Sequence, residues 1–568
     1  MMSRKSAAAV PHKWMVLSNT TLGMLAAAIN SSILLISLPA VFRGIGLKAL
    51  DPGNINYLLW TIIGYMVATA VLVVSFGRLG DQFGRARMYN LGFALFTVAS
   101  VALGLLPGHG DAAALYLIGV RIVQGVGGAL MMANATALLT DAFPEHERGF
   151  ALGINVVAII AGQFLGLIVG GLLADGNWRL VFWINVPVGF VGTAWSYWQL
   201  HDAPNRASHK IDWGGNLTFG LGLVAILAGI TYGLQPYGDQ VMAWSSPKVL
   251  TLFAVGVLSL AAFVLIEQRV ARPMLDLRLF KLAPFAYGNL ANLLSGIARG
   301  GLQFMLIIWL QGIWLPLHGY AFEATPLWSA IFMLPLTAGF LLAPPISGHL
   351  SDKFGGVPFA VGGMVIGAAS FIALMLLPAD FSYPVFAALL FLNGLASGIF
   401  VAPNSTQIMN AVPARERGQA SGVRATTTNA GQVLSIGLFF GLMLVGLAAN
   451  LPQAMEAGLL AQHVPAAVAH HVASLPPVSS LFAAFLGYNP MVELIPANVL
   501  AALPPANAAT LTGHTFFPGL MAGPFKQGLV FAFSFSALLY LAAALATWRG
   551  GPASAEALGG AEPAESRN

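Results

Sequence analysis

The chain has 568 residues, 57% of them apolar and only 8% charged, with a mean hydropathy of +0.77. A soluble domain carries about 25% charged residues, so 26 basic and 21 acidic side chains cannot coat the several domains that this length implies, and a soluble enzyme, a disordered chain and a nucleic-acid binder are excluded. The net charge is only +5, and the absence of cysteine removes disulfides, thiolate metal sites and cysteine nucleophiles.

Lipid offers no partner to a free backbone group, so a membrane-spanning helix needs about 20 mainly apolar residues. That ruler predicts fourteen spans, at 14–38, 56–76, 88–107, 112–139, 150–174, 180–200, 216–235, 247–267, 285–312, 325–348, 357–378, 383–409, 419–447 and 526–548. Residues 1–13 are a short polar start. The first span follows Arg4, Lys5 and Lys13 but is longer than a signal-peptide core and is read as retained. Between spans 13 and 14, residues 448–525 form a loop with little charge, read as an apolar cover over the mouths of its neighbours in preference to short surface helices. Within it His463, His470 and His471 are read as surface histidines, and no metal site is expected. The tail 549–568 is small, polar and rich in Gly and Pro, which predicts disorder.

An even number of spans puts both termini on one side. Nineteen basic residues fall on that side against five on the other, with Arg121 and Arg299 inside spans 4 and 9. The positive-inside rule makes the nineteen-residue side, and with it both termini, cytoplasmic in a multi-pass protein of the cell membrane.

Two pieces of the chain recur. Gly77-Arg-Leu-Gly-Asp81-Gln-Phe-Gly84 returns as Gly348-His-Leu-Ser-Asp352-Lys-Phe-Gly355, and Pro144-Glu-His-Glu-Arg-Gly149 returns as Pro413-Ala-Arg-Glu-Arg-Gly418. The repeat predicts an all-α membrane fold of two six-helix halves, 14–200 and 284–548, with two extra helices in the linker 201–283. Repeated halves that rock about a central site are a common way for transporters to alternate access. In the first copy, glycines allow a tight turn, and Asp81 has Arg85 and Arg87 within reach as a latch that breaks when the halves rock.

These motifs resemble a known family. Gly77–Arg87 looks like motif A of the major facilitator superfamily, with Gly348, Asp352 and Gly355 as its second copy. Arg121 in RIVQGVGGAL resembles motif B, and Gly162, Gly166, Gly170 and Gly171 resemble motif C of the antiporters. LAAAINSSILLISLPAV (Leu25–Val41) and NWRLVFWINVPVG (Asn177–Gly189) are similar to the fourteen-helix drug:proton antiporter branch. The resemblance implies proton antiport, a gating role for motif A and a proton-transfer role for Arg121. Three departures stand out. Leu167 replaces the proline that usually follows the second motif C glycine, and Gly356-Val357 lacks the basic residues of the first motif A copy. Asn30 stands where the branch usually carries an aspartate; an amide hydrogen-bonds but carries no proton.

No Asp or Glu is expected at mid-depth of any span, leaving Asp81 and Asp141 near span ends as candidate proton carriers. Arg121 and Arg299 each cost at least about 2.5–3.5 kcal/mol to insert unless they meet partners or water. Two cations without acids suit an anionic or zwitterionic amphiphile. Asn30, Gln124, Asn155, Gln163, Asn292, Arg299, Gln303, Asn404 and Asn429 are the candidate cavity residues, about half of such polar groups serving only to cross-link helices. Trp60, Tyr65, Phe304 and Trp309 are candidates for an aromatic wall. No phosphate-cradling loop and no nucleophile–base constellation is present, so no ATP-driven engine, catalytic residue or cofactor is expected, and the energy source implied is the proton gradient. The leading reading is a monomeric exporter, embedded in the lipid bilayer, that moves amphipathic, drug-like small molecules out of the cell by alternating access. The alternative is export of an endogenous lipid or anionic metabolite. A non-transporting sensor or membrane enzyme is opposed by the repeated gate motif.

Overall fold

The computed structural model describes residues 10–551, apart from 49, 52, 175, 201–211, 239, 271, 272, 274, 414–416 and 488. The first two residues of the predicted disordered tail, 549 and 550, end the last helix; its remainder from 552 and residues 1–9 of the N-terminus lie outside the described residues.

Among the described residues fourteen helices are long and apolar enough to cross a membrane: α1 Lys13–Gly44, α2 Asn54–Phe83, α3 Arg85–Gly104, α4 Gly110–Ala142, α5 Ala151–Ala174, α6 Leu180–Gln199, α7 Trp213–Gly233, α8 Pro247–Arg269, α9 Ala283–Leu317, α10 Thr325–Ser351, α11 Gly356–Leu376, α12 Tyr383–Asn410, α13 Ala420–Ala461 and α14 Phe516–Gly550. They answer to the fourteen predicted spans in order. The end of the bundle holding Lys13, Phe83 and Gly550 is here called the basic end, and its opposite the far end.

The two halves share one pairing scheme. In the first, α1 packs on α5, α2 and α3 on α4, and α3 on α6. In the second, α9 packs on α13, α10 and α11 on α12, and α11 on α14. A side-chain bond is repeated with the scheme: Gln124 Nε2 donates to Ser100 Oγ between α4 and α3, and Asn393 Nδ2 to Ser370 Oγ between α12 and α11, both at 2.8 Å. Without a hydrophobic drive between helices in lipid, close backbone approach does much of the work. On α5, Gly162, Gly166 and Gly170 lie against the Leu25, Ile29 and Ile33 carbonyls of α1, where a methyl group would come within 2.6–2.7 Å of the oxygen. The helix runs unbroken from Glu145 to Ala174 through Leu167.

The halves meet through α2 against α13 and α5 against α10. Helices α7 and α8 form a hairpin across that seam: α7 sets Gly220 on Val71 of α2 and Ile230 on Gly437 of α13, while α8 turns an apolar face, including Val257, Leu258 and Leu265, outward.

The loop between α13 and α14 is shorter than the sequence suggests, because residues 448–461 continue α13 and 516–525 begin α14. Asn450, Gln453, Glu456 and Pro452 lower the apolar signal of the first stretch, and Pro524 interrupts the second. Neighbouring helices in a bundle tolerate such prolines. What remains does cover the far end. The segment Pro477–Phe485 is a helix buried along its whole length. Phe482 meets the Phe42 ring edge-on at 6.1 Å, and Phe485 lies 6.1 Å from the Phe304 ring. This plug approaches α9 so closely that a methyl group at Gly312 would stand 2.7 Å from the Ala484 carbonyl oxygen.

Candidate transport cavity and gates

Motif A builds the same turn twice. Gly84 ends α2 at φ 110° and Gly355 ends α10 at φ 90°, values that side-chain-bearing residues rarely adopt. Each glycine donates its N–H to the helix just finished, Gly84 to the Gly80 carbonyl at 2.8 Å and Gly355 to the Ser351 carbonyl at 2.9 Å. Arg85 follows at once as the first residue of α3. Its Nε donates to Asp81 Oδ1 at 2.8 Å, and its NH1 lies 2.7 Å from both carboxylate oxygens of Asp141 at the end of α4. The latch thus pairs Asp81 with Arg85, one of the partners the sequence offered, and ties α2, α3 and α4 of the first half together. Asp81 and Asp141, the candidate proton carriers, are both held by this arginine. A second ion pair at the same end, Lys13 Nζ to Glu147 Oε2 at 2.5 Å, joins α1 to the segment that opens α5. The Gly77 and Gly348 positions begin the two motifs with open space or only distant contact around them. The Asp352 side chain lies outside the described residues.

The interior of the first half holds a polar network. Arg121 is fully buried, with its guanidinium 4.5 Å from the centre of the Tyr65 ring and NH1 2.6 Å from Gln124 Oε1. The same oxygen accepts from Asn30 Nδ2 at 3.2 Å, and Asn30 Oδ1 accepts from Asn185 Nδ2 at 3.2 Å. Among the described residues no carboxylate pairs with Arg121. A ring face and an amide oxygen share the cost of its charge.

The central cavity lies elsewhere, at mid-depth between the halves, with a volume of about 130 Å³. Ser31, Ser32, Gln163, Arg299, Gln303 and Gln432 give it polar walls, while Met66, Phe304, Met333 and Phe340 are among its apolar ones. Arg299 is its one charged lining residue; the guanidinium sits 4.9 Å over the Phe340 ring and among the described residues makes no hydrogen bond or ion pair. Typical ligand pockets hold ~300–1,000 Å³, so a drug-sized molecule enters only when the halves part.

Of the nine candidate cavity residues, Gln163, Arg299 and Gln303 line the space. Asn30 and Gln124 belong to the buried network. Asn155 accepts from Thr21 of α1 at 3.0 Å, Asn292 donates to the Thr428 hydroxyl of α13 at 2.7 Å, and Asn404 donates to the Gly288 carbonyl of α9 at 3.1 Å. These three cross-link helices, and Asn429 is half-buried outside the lining. Among the aromatic candidates Phe304 lines the cavity, Tyr65 stacks with Arg121, and Trp309 is buried beside Phe381 with ring centres 4.8 Å apart. Trp60 is partly buried against the main apolar core.

At the far end the cavity is closed by backbone. Motif C ends in Gly171, where a methyl group would lie 2.6 Å from the Leu327 Cα of α10. Sequence reasoning passed over Gln311, which sits in a π-helical stretch of α9, Leu310–Trp314. Its Nε2 reaches the Ile36 carbonyl of α1 at 3.2 Å and the Ser329 hydroxyl of α10 at 3.0 Å, so one amide joins both halves. Single π turns gather at functional sites, but a five-residue widening leaves no mark in composition.

Comparison with known proteins bears on this architecture. The tetracenomycin C resistance and export protein of Streptomyces glaucescens is 30% identical over 76% of this chain and 76% of its own length. The multidrug resistance protein Stp of Mycobacterium tuberculosis is 28% identical over 80% and 79%. Among solved structures, an inward-facing, unoccupied bacterial homologue of the human lysosomal transporter Spinster shares the fold, with a TM-score of 0.57 at 17% identity over 96% of this chain and 99% of that one. The family model of the Major Facilitator Superfamily matches residues 20–436. With its two matched six-helix halves around a mid-depth cavity, the chain belongs to the major facilitator superfamily of membrane transporters.

Proposed function

We propose that this transporter exports amphipathic small molecules across the cell membrane by alternating access, driven by proton antiport, with both termini cytoplasmic. The observation that carries the reading is the cavity itself, walled on one side by Ser31, Ser32 and Gln163 of the first half and on the other by Arg299, Gln303 and Gln432 of the second. Polar and apolar walls together suit a substrate with both kinds of surface. Resistance and export in the named relatives support the direction. The test is transport by the purified chain in proteoliposomes with an imposed pH gradient. Gradient-driven movement of amphiphiles is expected, and movement indifferent to the gradient would remove the proton.

One observation favours the anionic alternative. Arg299 is a single cation in a cavity without a carboxylate, so the complementary substrate carries a negative head. Arg299→Glu is expected to lower transport of anionic amphiphiles at least tenfold while sparing cationic dyes. Undiminished anion transport by that variant contradicts this reading.

A further inference from the structure

A pair of carboxyl groups, Asp212 and Glu267, stands at the base of the inserted hairpin. Asp212 caps α7, its Oδ1 accepting from the Gly215 N–H at 2.8 Å. Glu267 lies in the last turn of α8, and its Oε2 accepts from the Leu275 N–H at 3.0 Å. Asp212 is 8% exposed and Glu267 3%. The remaining oxygens, Asp212 Oδ2 and Glu267 Oε1, have no donor among the described residues. Both crowd over one glycine: a methyl group at Gly215 would stand 2.5 Å from Glu267 Oε1 and 2.6 Å from Asp212 Oδ2. Lying that close to one point, the two oxygens are no more than about 5 Å apart.

An ionised carboxylate only accepts, so two of them are joined only when a proton lies between. Two buried like charges at this spacing cannot both stay ionised without strong compensation. Among the described residues the charges acting on Glu267 are Asp212 on α7 and Arg78 on α2. Arg78 donates to the Pro273 carbonyl, in the strap that leads from α8 to α9. The strap itself brings Asp276, which accepts from the Arg278 N–H, and α8 brings Arg269. From α13, which also packs on α7, comes Arg424, engaged with Ser405.

We propose that Asp212 and Glu267 form a proton-binding site holding one proton between them. Binding takes the pair from two negative charges to one and makes an O–H···O bond across Gly215. Release returns the proton to water at the basic end and leaves two buried anions that repel. Because Glu267 also holds the Leu275 N–H, and Arg78 of motif A holds the same strap, the protonation state bears on the tie between the first half and the entry to α9. The site's use in transport rests on the proton-coupled reading above; its existence does not.

Infrared spectroscopy of the full chain in lipid nanodiscs, titrated with pH, reads protonated carboxyl groups directly. One protonated-carboxyl band per chain is expected to survive at neutral pH and to be abolished by Glu267→Gln and by Asp212→Asn. The double variant should remove no more than either single one. In Glu267→Gln the amide donates to Asp212, which keeps the contact and the fold, and thermal unfolding verifies this. A band unchanged in both variants, or none in the parent chain, overturns the site. Parallel transport assays separate the two readings. Gradient-driven transport with an unaltered band sinks the site and leaves coupling; a band lost as expected in a chain indifferent to the gradient leaves the site and sinks coupling.

Discussion

Arg121 and Arg299 are both arginines at mid-depth, yet their surroundings assign them different work. Arg121 is enclosed by Tyr65 and Gln124 and does not line the central cavity, whereas Arg299 faces the space between the halves with a single ring beneath it. Asn30 sits two hydrogen bonds from Arg121, the two sharing Gln124 Oε1. In Asn30→Asp an acceptor would face that oxygen, and Gln124 must turn aside, which lets the new carboxylate meet the guanidinium. Charge-assisted hydrogen bonds are roughly twice as strong as neutral ones, so this variant is expected to be at least as stable as the parent chain and to gain gradient-coupled transport of cationic dyes. Thermal unfolding and dye efflux check both halves of that expectation. Sequence alone showed that an acid was missing from α1 and that two cations were present. It set Arg121 apart by resemblance as a proton-transfer residue and Arg299 as a cavity candidate, but not the partners of either, because the direction of a side chain around a helix apolar on all sides leaves no periodic trace. The carboxyl pair was hidden for a related reason: Asp212 and Glu267 lie 55 positions apart and meet only through the hairpin.

At the scale of the helix, glycines set the far-end closure. The motif C ladder presses α5 on α1, and its last member, Gly171, lets α5 reach the backbone of α10. Gly171→Val puts two methyl groups where Leu327 already stands, and overpacking of this kind typically costs about 1–3 kcal/mol. The variant is expected to melt several degrees lower and to leave Ile36 at the far end more open to water-borne labels once a cysteine is placed there. An unchanged melting curve and unchanged labelling contradict this account. All fourteen spans and the paired turns at Gly84 and Gly355 were readable in advance, since length, hydropathy and repetition carry them. The extra turns of α13 and α14 were not, because polar residues and proline lowered the local signal where tertiary packing restores the helix.

At the scale of the whole molecule, two additions break the symmetry of the halves. The α7–α8 hairpin lies over the seam, and the plug Pro477–Phe485 fills the far mouth. The plug brings Val478, Leu481, Phe482 and Phe485 into the core, each almost fully buried. Replacing residues 466–512 by a short flexible linker would leave that volume empty. The shortened chain is expected to leak preloaded amphiphile from vesicles without a gradient, and retention equal to that of the full chain would show that the helices alone seal the mouth.

The plug also makes the two doors differ in kind. At the basic end the helices of the first half are tied to one another by partly exposed ion pairs, Arg85 with Asp81 and Asp141, and Lys13 with Glu147. Such contacts weaken as dissolved ions screen them. The far end is held by buried phenyl rings and backbone packed against backbone, contacts indifferent to ionic strength but sensitive to temperature, since apolar attraction fades on cooling. Salt therefore loosens the ties within the first half at the basic end, whereas cold loosens the packing that joins the two halves and the plug at the far end.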